Sequence, residues 1–398
     1  MKRVLFVSSY PFPMNMGSRQ HAYYMIRALA EQHEVHCLFF LPSDGHLPED
    51  ALSQLGPLGV VSVSFLHFRE ARKRGRFAGV VRSLFSYPIS HMVDATHADG
   101  LAEIHRLVRT YAIEVIHYES LWYTKYAFSI KDLCKQVVVY HDLHHEVIRR
   151  MANDQRSLVQ RLVLRLDAAK LLFFEKRLDS VIDLKIFLNP EELKRLPEHA
   201  VHIPHIANAD VRYEPPLQKR ICNILFLGAY NHPPNRQSFE YIIDQMLPRL
   251  VTVLGDGFQI HVVGPGTEKF GALVQNSAFR DRIQIHGFVE KLQDAFSTMD
   301  IALFPIFSGG GIKTKVLDAM AAGLPVVTSP DGVHGLADLP EESVAVGKDS
   351  AELVQHIVDL TENFDRRLAC SRQAFAYVQR EHSYQAFCGK VLTAFALL

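Results

Sequence analysis

The stretch from Ile301 to Thr328, IALFPIFSGGGIKTKVLDAMAAGLPVVT, predicts one βαβ unit. Ile301–Phe304 is typical of a buried strand, Ile312–Ala322 of a helix, and Leu324–Thr328 of the next strand. Gly323 stands where a left-handed cap favours glycine, so the helix has a physical stop. The stretch therefore favours a parallel sheet with crossover helices.

The loop and first helical turns of this unit have the chemistry of a phosphate site. The triple glycine Gly309–Gly311 leaves backbone N–H groups exposed at a helix N-terminus, where the helix dipole favours an anion. At about 100° per residue, Thr314, Lys315 and Asp318 group on one arc of the helix. The Asp318 carboxylate could accept hydrogen bonds from ribose hydroxyls while the loop holds a diphosphate. The alternative is a solvated helix face with a Lys–Asp pair three residues apart.

The segment from Gly309 to Val327 resembles the donor-site signature of retaining GT-B glycosyltransferases of family 4, also called glycosyl transferases group 1. That signature has two glutamates separated by seven residues, followed by Ala-Met-Ala-x-Gly-x-Pro-Val-Val. Asp318 occupies the place of the second glutamate, which in the family binds the donor ribose. The first glutamate, which contacts the donor sugar, falls on Gly310. The chain is similar to a branch with GGG or GSG followed by a Lys-rich helix start.

The composition is that of a soluble protein with room for two domains. The chain has 398 residues, 48% hydrophobic and 22% charged, which places it in the ordinary globular range. Lys and Arg equal Asp and Glu at 43 each, so no global field recruits nucleic acid. The five cysteines are scattered and odd in number, which favours a reducing cytoplasm. No stretch approaches the roughly 20 apolar residues of a membrane-spanning helix.

The N-terminal region opens with a strand, a loop, a helix and a second strand. KRVLFVSSY at residues 2–10 and Val35–Leu41 flank a helix predicted over Gln20–Glu31. The intervening loop contains Gly17 and Arg19, at the edge where doubly wound sheets bind ligands. The resemblance implies that the Gly17 backbone approaches the donor diphosphate, while Arg19 is a candidate for an anionic substrate. The alternatives are turn geometry at Gly17 and a solvated Arg19.

A histidine-rich segment follows the strand predicted at Gln136–Tyr140. Residues 141–146, HDLHHE, combine three histidines with two carboxylates, which allows a metal hypothesis. We disfavour it because no second His/Cys cluster with ligand spacing completes it. The resemblance instead implies that His141 lies beside the donor sugar and the leaving phosphate.

The second half of the chain repeats the opening theme. Cys222–Gly228 predicts a strand, followed by a Pro-bearing loop that ends in Asn235. By resemblance, Asn235 is a candidate substrate contact, and Lys313 or Lys315 supplies the positive charge that the family usually places in this loop. Further along, backbone groups near Phe288 and Val289 would contact the nucleobase edge.

The predicted fold class is α/β, with two Rossmann-like domains facing across a cleft. We predict an acceptor-binding domain at 1–195 joined by a C-terminal helix at 383–398, a linker at 196–220, and a donor-binding domain at 221–382. A long helix is predicted from Arg156 to Asp179. Its regularly spaced apolar residues are interpreted as core packing, and they are Leu158, Leu162, Leu166, Ala169 and Phe173.

The predicted function is transfer of a sugar from a nucleotide diphosphate donor, with retention, to a glycan or lipid-linked acceptor in surface polysaccharide biosynthesis. We expect the departing diphosphate to be stabilised by the backbone amides of Gly310, Gly311 and Ile312 together with Lys315 or Lys313. His141 orients the sugar. No cofactor and no metal are predicted, since no DxD motif is present. Two alternatives stay open: a nucleotide-sugar 2-epimerase of the same fold, and a nucleotide-sugar binding protein without transfer activity.

A basic stretch predicts where the protein meets an anionic partner. Arg69–Arg82, REARKRGRFAGVVR, interleaves positive charge with apolar residues, which favours lipid headgroups or a phosphate-bearing acceptor. A solvated helix or loop face is the alternative. The predicted location is the cytoplasm, or the inner face of the membrane.

Overall fold

The structure is a computed structural model, which describes residues 1–12, 17–41, 51–67, 87, 98–153, 155, 157–218, 222–308 and 310–398. The chain divides into two compact units. The first contains Met1–Pro204 and Phe387–Leu398, and the second contains His205–Ala386. The acceptor and donor roles assigned to the two domains stay predictions.

In the first unit, the described strands form one seven-stranded sheet of parallel pairs in the order β3-β2-β1-β4-β5-β6-β7. The strands are β1 (Arg3–Ser9), β2 (Glu34–Leu41), β3 (Val60–His67), β4 (Val115–Tyr118), β5 (Lys135–Tyr140), β6 (Leu184–Phe187) and β7 (Ala200–His202). The central strands are buried, as expected for a parallel sheet covered on both faces.

In the second unit, the described strands form a six-stranded sheet of parallel pairs in the order β10-β9-β8-β11-β12-β13. Its strands are β8 (Cys222–Leu227), β9 (Phe258–Val263), β10 (Ile283–Gly287), β11 (Ile301–Phe304), β12 (Val326–Thr328) and β13 (Ala345–Val346). The predicted fold class, α/β with two Rossmann-like domains, is confirmed.

Helices connect the strands in both units. Those in the described part of the chain are α1 (Gly17–Ala30), α2 (Ala51–Leu55), α3 (Ala98–Tyr111), α4 (His144–Asn153), α5 (Leu158–Leu178), α6 (Pro190–Leu193), α7 (Pro233–Tyr241), α8 (Leu247–Leu254), α9 (Gly271–Gln275), α10 (Leu292–Phe296), α11 (Thr314–Ala322), α12 (Ser350–Glu362), α13 (Phe364–Glu381) and α14 (Tyr384–Ala396). Among the described helices, none combines the length and the apolar character needed to cross a membrane.

The βαβ unit predicted from the sequence is present as β11, α11 and β12. Strand β11 has the predicted bounds, whereas α11 begins at Thr314, two residues later than expected. Gly323 ends the helix with φ 87°, and its amide bonds to the carbonyls of Ala319 and Met320. A Cβ at Gly323 would lie 2.4 Å from the Glu214 carbonyl oxygen, so both conformation and space require glycine.

Strand order fixes where each unit can bind a ligand. The direction of strand succession reverses between β1 and β4 in the first sheet, and between β8 and β11 in the second. Open α/β sheets bind ligands outside the carboxyl ends of the strands at such a reversal. The loops after β1, β4, β8 and β11 are therefore the candidate site loops.

Helix α5 contradicts the sequence-based assignment of its core face. Ala168, Leu171, Phe174 and Leu178 are buried. The residues predicted to pack are exposed instead: Leu158 (76%), Leu162 (71%), Leu166 (39%), Ala169 and Phe173 (58%). That prediction was wrong, because both faces of the helix are apolar and periodicity alone does not distinguish between them.

Candidate functional site

In the second unit, Lys315 joins the two loops that flank the strand reversal. Its ammonium nitrogen lies 3.1 Å from the Leu227 carbonyl oxygen and 3.0 Å from Asn235 Oδ1. The other end of the Asn235 amide donates to the Ala229 carbonyl at 3.0 Å, which holds the loop after β8 in place. The structure thus brings Lys315 and Asn235, both predicted as site residues, into direct contact.

The surroundings of Lys315 weaken its hold on a proton. The side chain keeps partial exposure, but burial of the ammonium group and the nearby Lys313 charge lower the pKa of Lys315 to about 7. The rings of Phe304 and Phe226 lie with their centroids 4.9 and 5.4 Å from the nitrogen, within cation–π range. An anion beside this nitrogen would favour the charged form.

The glycine-rich loop is held by Lys313. The Lys313 ammonium donates to the carbonyl oxygens of Gly310 and Gly311 at 2.8 and 2.7 Å. Gly311 adopts φ 69°, and Ile312 follows half-buried just before α11 begins. The helix N-terminus therefore lies beside Gly310, Gly311 and Ile312, where first-turn N–H groups lack helical partners.

Asp318 lies inside the second unit. Its side chain is 5% exposed, and Oδ1 accepts a 2.8 Å hydrogen bond from the Asn208 backbone amide. Burial raises the pKa of Asp318 to about 7, against the opposing effect of that hydrogen bond. One carboxylate oxygen thus fixes the chain near Asn208, which makes Asp318 structural as well as a candidate ligand contact.

Phe288 and Val289 follow strand β10. The Phe288 ring is 63% exposed, whereas Val289 packs against the buried apolar cluster of the second unit. The preceding Gly287 adopts φ 75° and accepts a 2.8 Å hydrogen bond from the Gly264 amide. These contacts fix the turn and leave an exposed aromatic ring after the strand.

In the first unit, Gly17 and Arg19 belong to the start of α1 rather than to a preceding loop. Gly17 is the first residue of the helix, which begins three residues before the predicted Gln20. The half-buried Arg19 side chain approaches the Phe12 carbonyl oxygen, with Nη1 3.5 Å away. The loop residues 13–16 lie outside the described part of the chain.

His141 belongs to a histidine cluster that forms around one buried carboxylate, Glu119. His21 Nδ1 lies 2.5 Å from Glu119 Oε1, and His117 Nε2 lies 3.0 Å from Glu119 Oε2. His141 Nε2 is 3.0 Å from the Glu119 carbonyl oxygen and 3.3 Å from Oε1. Glu119 and His141 follow β4 and β5, so the cluster lies at the carboxyl edge of the sheet.

Electrostatics keeps the centre of this histidine cluster ionised. Burial alone would raise the pKa of Glu119, but the three histidines hold it well below its ordinary value. Burial also acts against protonation of His141, yet the Glu119 carboxylate raises the pKa of that imidazole. For His21, burial prevails and lowers the pKa. Of these two histidines, His141, which is 20% exposed, is thus the more inclined to carry charge.

The sequence did not reveal Glu119, His21 or His117 as parts of this cluster. His21 is on α1, His117 is on β4 and Glu119 directly follows β4, so the three residues form no local sequence motif. The one available signal was that Glu119, like His141, comes directly after a buried strand. Ligand-type atoms of His21, Glu119 and His141 lie within 4.8 Å of one another. Their separations of 2.5 and 3.3 Å are hydrogen-bond distances, so we interpret the group as a hydrogen-bonded cluster.

The segment 141–146 does not gather its own histidines around one point. His144 Nδ1 contacts the Asp142 carbonyl oxygen at 3.0 Å, whereas His145 hydrogen-bonds to the buried Glu175. In the described residues, the histidines of this segment therefore do not form a metal site with one another.

With two Rossmann-like domains, the chain has the GT-B fold. A solved structure of the same fold is HepE from Anabaena in complex with UDP, with a TM-score of 0.67, 13% sequence identity, and coverage of 100% of both chains. Residues 222–363 match the family glycosyl transferases group 1. The chain is a glycosyltransferase, and the family that residues 222–363 match is the one that the donor-site segment resembles.

Two curated relatives match part of this chain. An uncharacterized 44.6 kDa protein in the cps region of Klebsiella pneumoniae is 22% identical over 277 residues, covering 65% of this chain and 69% of that protein. A phosphatidyl-myo-inositol mannosyltransferase of Mycobacterium leprae is 28% identical over 183 residues, covering 43% of this chain and 47% of that protein.

Proposed function

We propose that this glycosyltransferase takes its sugar from a nucleotide diphosphate sugar and transfers it with retention to a glycan or lipid-linked acceptor. The observation that carries the proposal is Lys315, whose ammonium group lies between the Leu227 carbonyl and Asn235 at the reversal of the second sheet. A cation at that edge, next to a helix N-terminus, matches a diphosphate in charge and position.

The proposed chemistry needs no covalent intermediate on the protein. The acceptor hydroxyl oxygen forms a bond to the anomeric carbon on the face from which the diphosphate leaves. The bond between that carbon and the diphosphate oxygen breaks, and the departing diphosphate takes the hydroxyl proton. Negative charge grows on the leaving group, so Lys315 and the amides of Gly310, Gly311 and Ile312 stabilise the transition state most.

The remaining predicted residues complete the proposal. Asp318 would accept ribose hydroxyls with its second carboxylate oxygen, and backbone groups at Phe288 and Val289 would contact the base. The Lys313 ammonium would give up its hydrogen bonds to the Gly310 and Gly311 carbonyl oxygens and donate to phosphate oxygens instead. In the first unit, Gly17 would approach the diphosphate and Arg19 an anionic group.

His141 would orient the donor sugar in the first unit. Its imidazole is already fixed by the Glu119 carbonyl and carboxylate, which limits its rotation. A group held in one geometry before the substrate arrives contributes to catalysis by positioning.

The relatives support the substrate classes. HepE was solved with UDP, which supports a nucleotide donor. The Klebsiella relative is in a cps region, which supports surface polysaccharide biosynthesis, and the mannosyltransferase acts on a lipid-linked inositol by its name. Peripheral membrane contact through Arg69–Arg82 and a cytoplasmic location belong to the same proposal; the basic stretch lies outside the described residues.

The proposal is tested by thermal stabilisation with UDP, GDP, ADP and TDP. At about 100 times its dissociation constant, a nucleotide adds about 2.7 kcal/mol of stability, which is readily seen as a rise in Tm. We expect a rise with one nucleotide that Lys315→Ala and Asp318→Ala both reduce. Lys348→Ala, an exposed lysine of the same unit, is the matched control and keeps the full shift.

Turnover then separates transfer from binding alone. Release of the nucleotide diphosphate from the matching sugar donor, with and without glycan acceptors, should require both Lys315 and His141. No rise in Tm with any nucleotide would refute the donor-site assignment. A rise without turnover on any acceptor would instead favour a nucleotide-sugar binding protein.

A further inference from the structure

We infer that the exposed apolar face of helix α5 binds the surface of an anionic membrane. This surface, which we call the α5 stripe, consists of Leu158, Leu162, Leu166, Ala169 and Phe173. The α5 stripe belongs to the first unit, adds a second surface to the membrane contact proposed above, and does not depend on the proposed reaction.

The α5 stripe is continuous along the helix. At about 100° per residue, its five members fall within an arc of about 80°, so they form one band rather than scattered exposures. The helix has 21 residues and spans about 30 Å. Isolated apolar residues on a surface are normal, but a contiguous apolar band marks an interaction site.

The α5 stripe is not a substitute for core packing. Ala168, Leu171 and Phe174 already pack the opposite side of the helix against the first unit. In the described residues, Tyr87 lies edge-on to the Phe173 ring with centroids 6.5 Å apart, yet Phe173 stays 58% exposed. Two apolar faces on one helix indicate two apolar environments, and most of the second face has no apolar cover among these residues. Met151 of the neighbouring α4, 50% exposed, adds to the apolar surface of this helix pair.

Charge identifies the second environment. Along Leu158–Leu178 the acidic side chains are Asp167 and Glu175, both buried, whereas exposed Arg165, Lys176 and Arg177 are all basic. A second copy of the chain, paired symmetrically through this face, would bring like charges together. Anionic lipid headgroups offer the opposite charge, and the acyl region accepts leucine side chains.

A cavity between α4 and α5 provides a place for a headgroup. It has a volume of about 460 Å³, and its lining includes Arg149, Arg165 and Leu172. Within the described part of the chain, neither arginine forms an ion pair, so both guanidinium groups are available to a phosphate. Cationic groups beside an apolar band match the two-part chemistry of a phospholipid.

The experiment is cosedimentation of the full chain with vesicles of phosphatidylcholine alone and of phosphatidylcholine mixed equally with phosphatidylglycerol. We expect binding to the mixed vesicles, weakened by added salt because the attraction is partly electrostatic. Replacing one inserted leucine with glutamate should lower the partition coefficient on the order of tenfold or more. Leu158→Glu and Leu162→Glu are therefore made singly and together.

The matched control is Val253→Glu, at an exposed apolar residue of α8 in the second unit. It should bind vesicles like the wild type. Because α5 residues 158 and 162 are exposed, the variants should melt at the wild-type temperature, which far-UV circular dichroism checks. The assignment is overturned if the variants bind vesicles as tightly as the wild type, or if the wild type binds neither vesicle. It is equally overturned if the wild type is a dimer in light scattering that Leu158→Glu/Leu162→Glu converts to a monomer.

Discussion

Nucleotide binding should weaken as the pH rises, because Lys315 must be protonated to hold a diphosphate. In the free protein, burial and Lys313 lower the pKa of Lys315 to about 7, well below the ordinary value for lysine. A diphosphate beside the nitrogen favours the ammonium form and so raises the pKa in the complex. Between these two values, binding takes up one proton.

Proton linkage sets the size of the effect. With one proton taken up, the dissociation constant rises about tenfold for each pH unit, or about 1.4 kcal/mol. The terminal phosphate of UDP does not contribute above neutrality, since phosphate monoesters titrate near about pH 6. Asp318, with its pKa raised to about 7, is ionised at the upper end of the range, so the slope there belongs to Lys315.

Isothermal titration calorimetry from about pH 7.5 to about pH 9.5 measures this slope and, in two buffers of different ionisation enthalpy, the proton uptake itself. Lys315→Met should bind weakly at every pH and show no slope. Lys315→Arg should also lose the slope, since a guanidinium stays protonated throughout. Lys348→Ala should retain the wild-type slope.

A flat wild-type profile would show that Lys315 is not the group that holds the diphosphate, or that its proton is not lost in the free protein. The reasoning also fails if Lys315→Met keeps the wild-type slope, because another group would then be titrating. The ligand for this measurement is the nucleotide that raises the melting temperature most.

Two further predictions concern stability. Gly323→Ala should lower the free energy of unfolding, measured in urea, by at least about 1–2 kcal/mol, because the alanine would have to adopt a left-handed conformation and its Cβ would clash with the Glu214 carbonyl oxygen. Gly389→Ala is the control: it lies in α14 with open space around it and should instead stabilise the protein by about 0.5–1 kcal/mol. Equal effects of the two substitutions would contradict the argument. Glu119→Gln should cost about 3 kcal/mol at neutral pH, the scale for breaking a buried ion pair. The pKa of Glu119 is lower in the folded than in the unfolded protein, so the variant loses the full amount of stability at any pH above the unfolded-state pKa. The difference in the free energy of unfolding between wild type and variant should shrink as the pH falls towards the folded-state pKa. Urea titrations in which this difference does not change with pH would refute the prediction.

The βαβ unit could be predicted in detail because each of its signals is local. The apolar run of β11, the glycine stop at Gly323 and the spacing of Lys315 and Asp318 all lie within 28 residues. The predicted helix began at Ile312, two residues early, because Lys313 folds back onto the Gly310 and Gly311 carbonyls before the helix starts.

What could not be predicted depends on contacts between distant parts of the chain. Glu119 draws His21, His117 and His141 together from α1, β4 and the end of β5, and a single sequence gives no spacing for such a set. The prediction of which face of α5 packs into the core was wrong for a related reason. Its two apolar faces are equally periodic, and the choice between them depends on what the rest of the first unit presents.

In the proposed donor site, the contacts of Lys315 would disfavour uncharged ligands. Its ammonium already has two oxygen partners, Leu227 and Asn235, so an incoming group gains only the difference between its own oxygens and those two. A neutral sugar offers oxygens no better than the ones it displaces. A diphosphate offers several charged ones. The two contacts that Lys315 makes within the protein would therefore select for negative charge in a ligand, before its base or sugar is recognised.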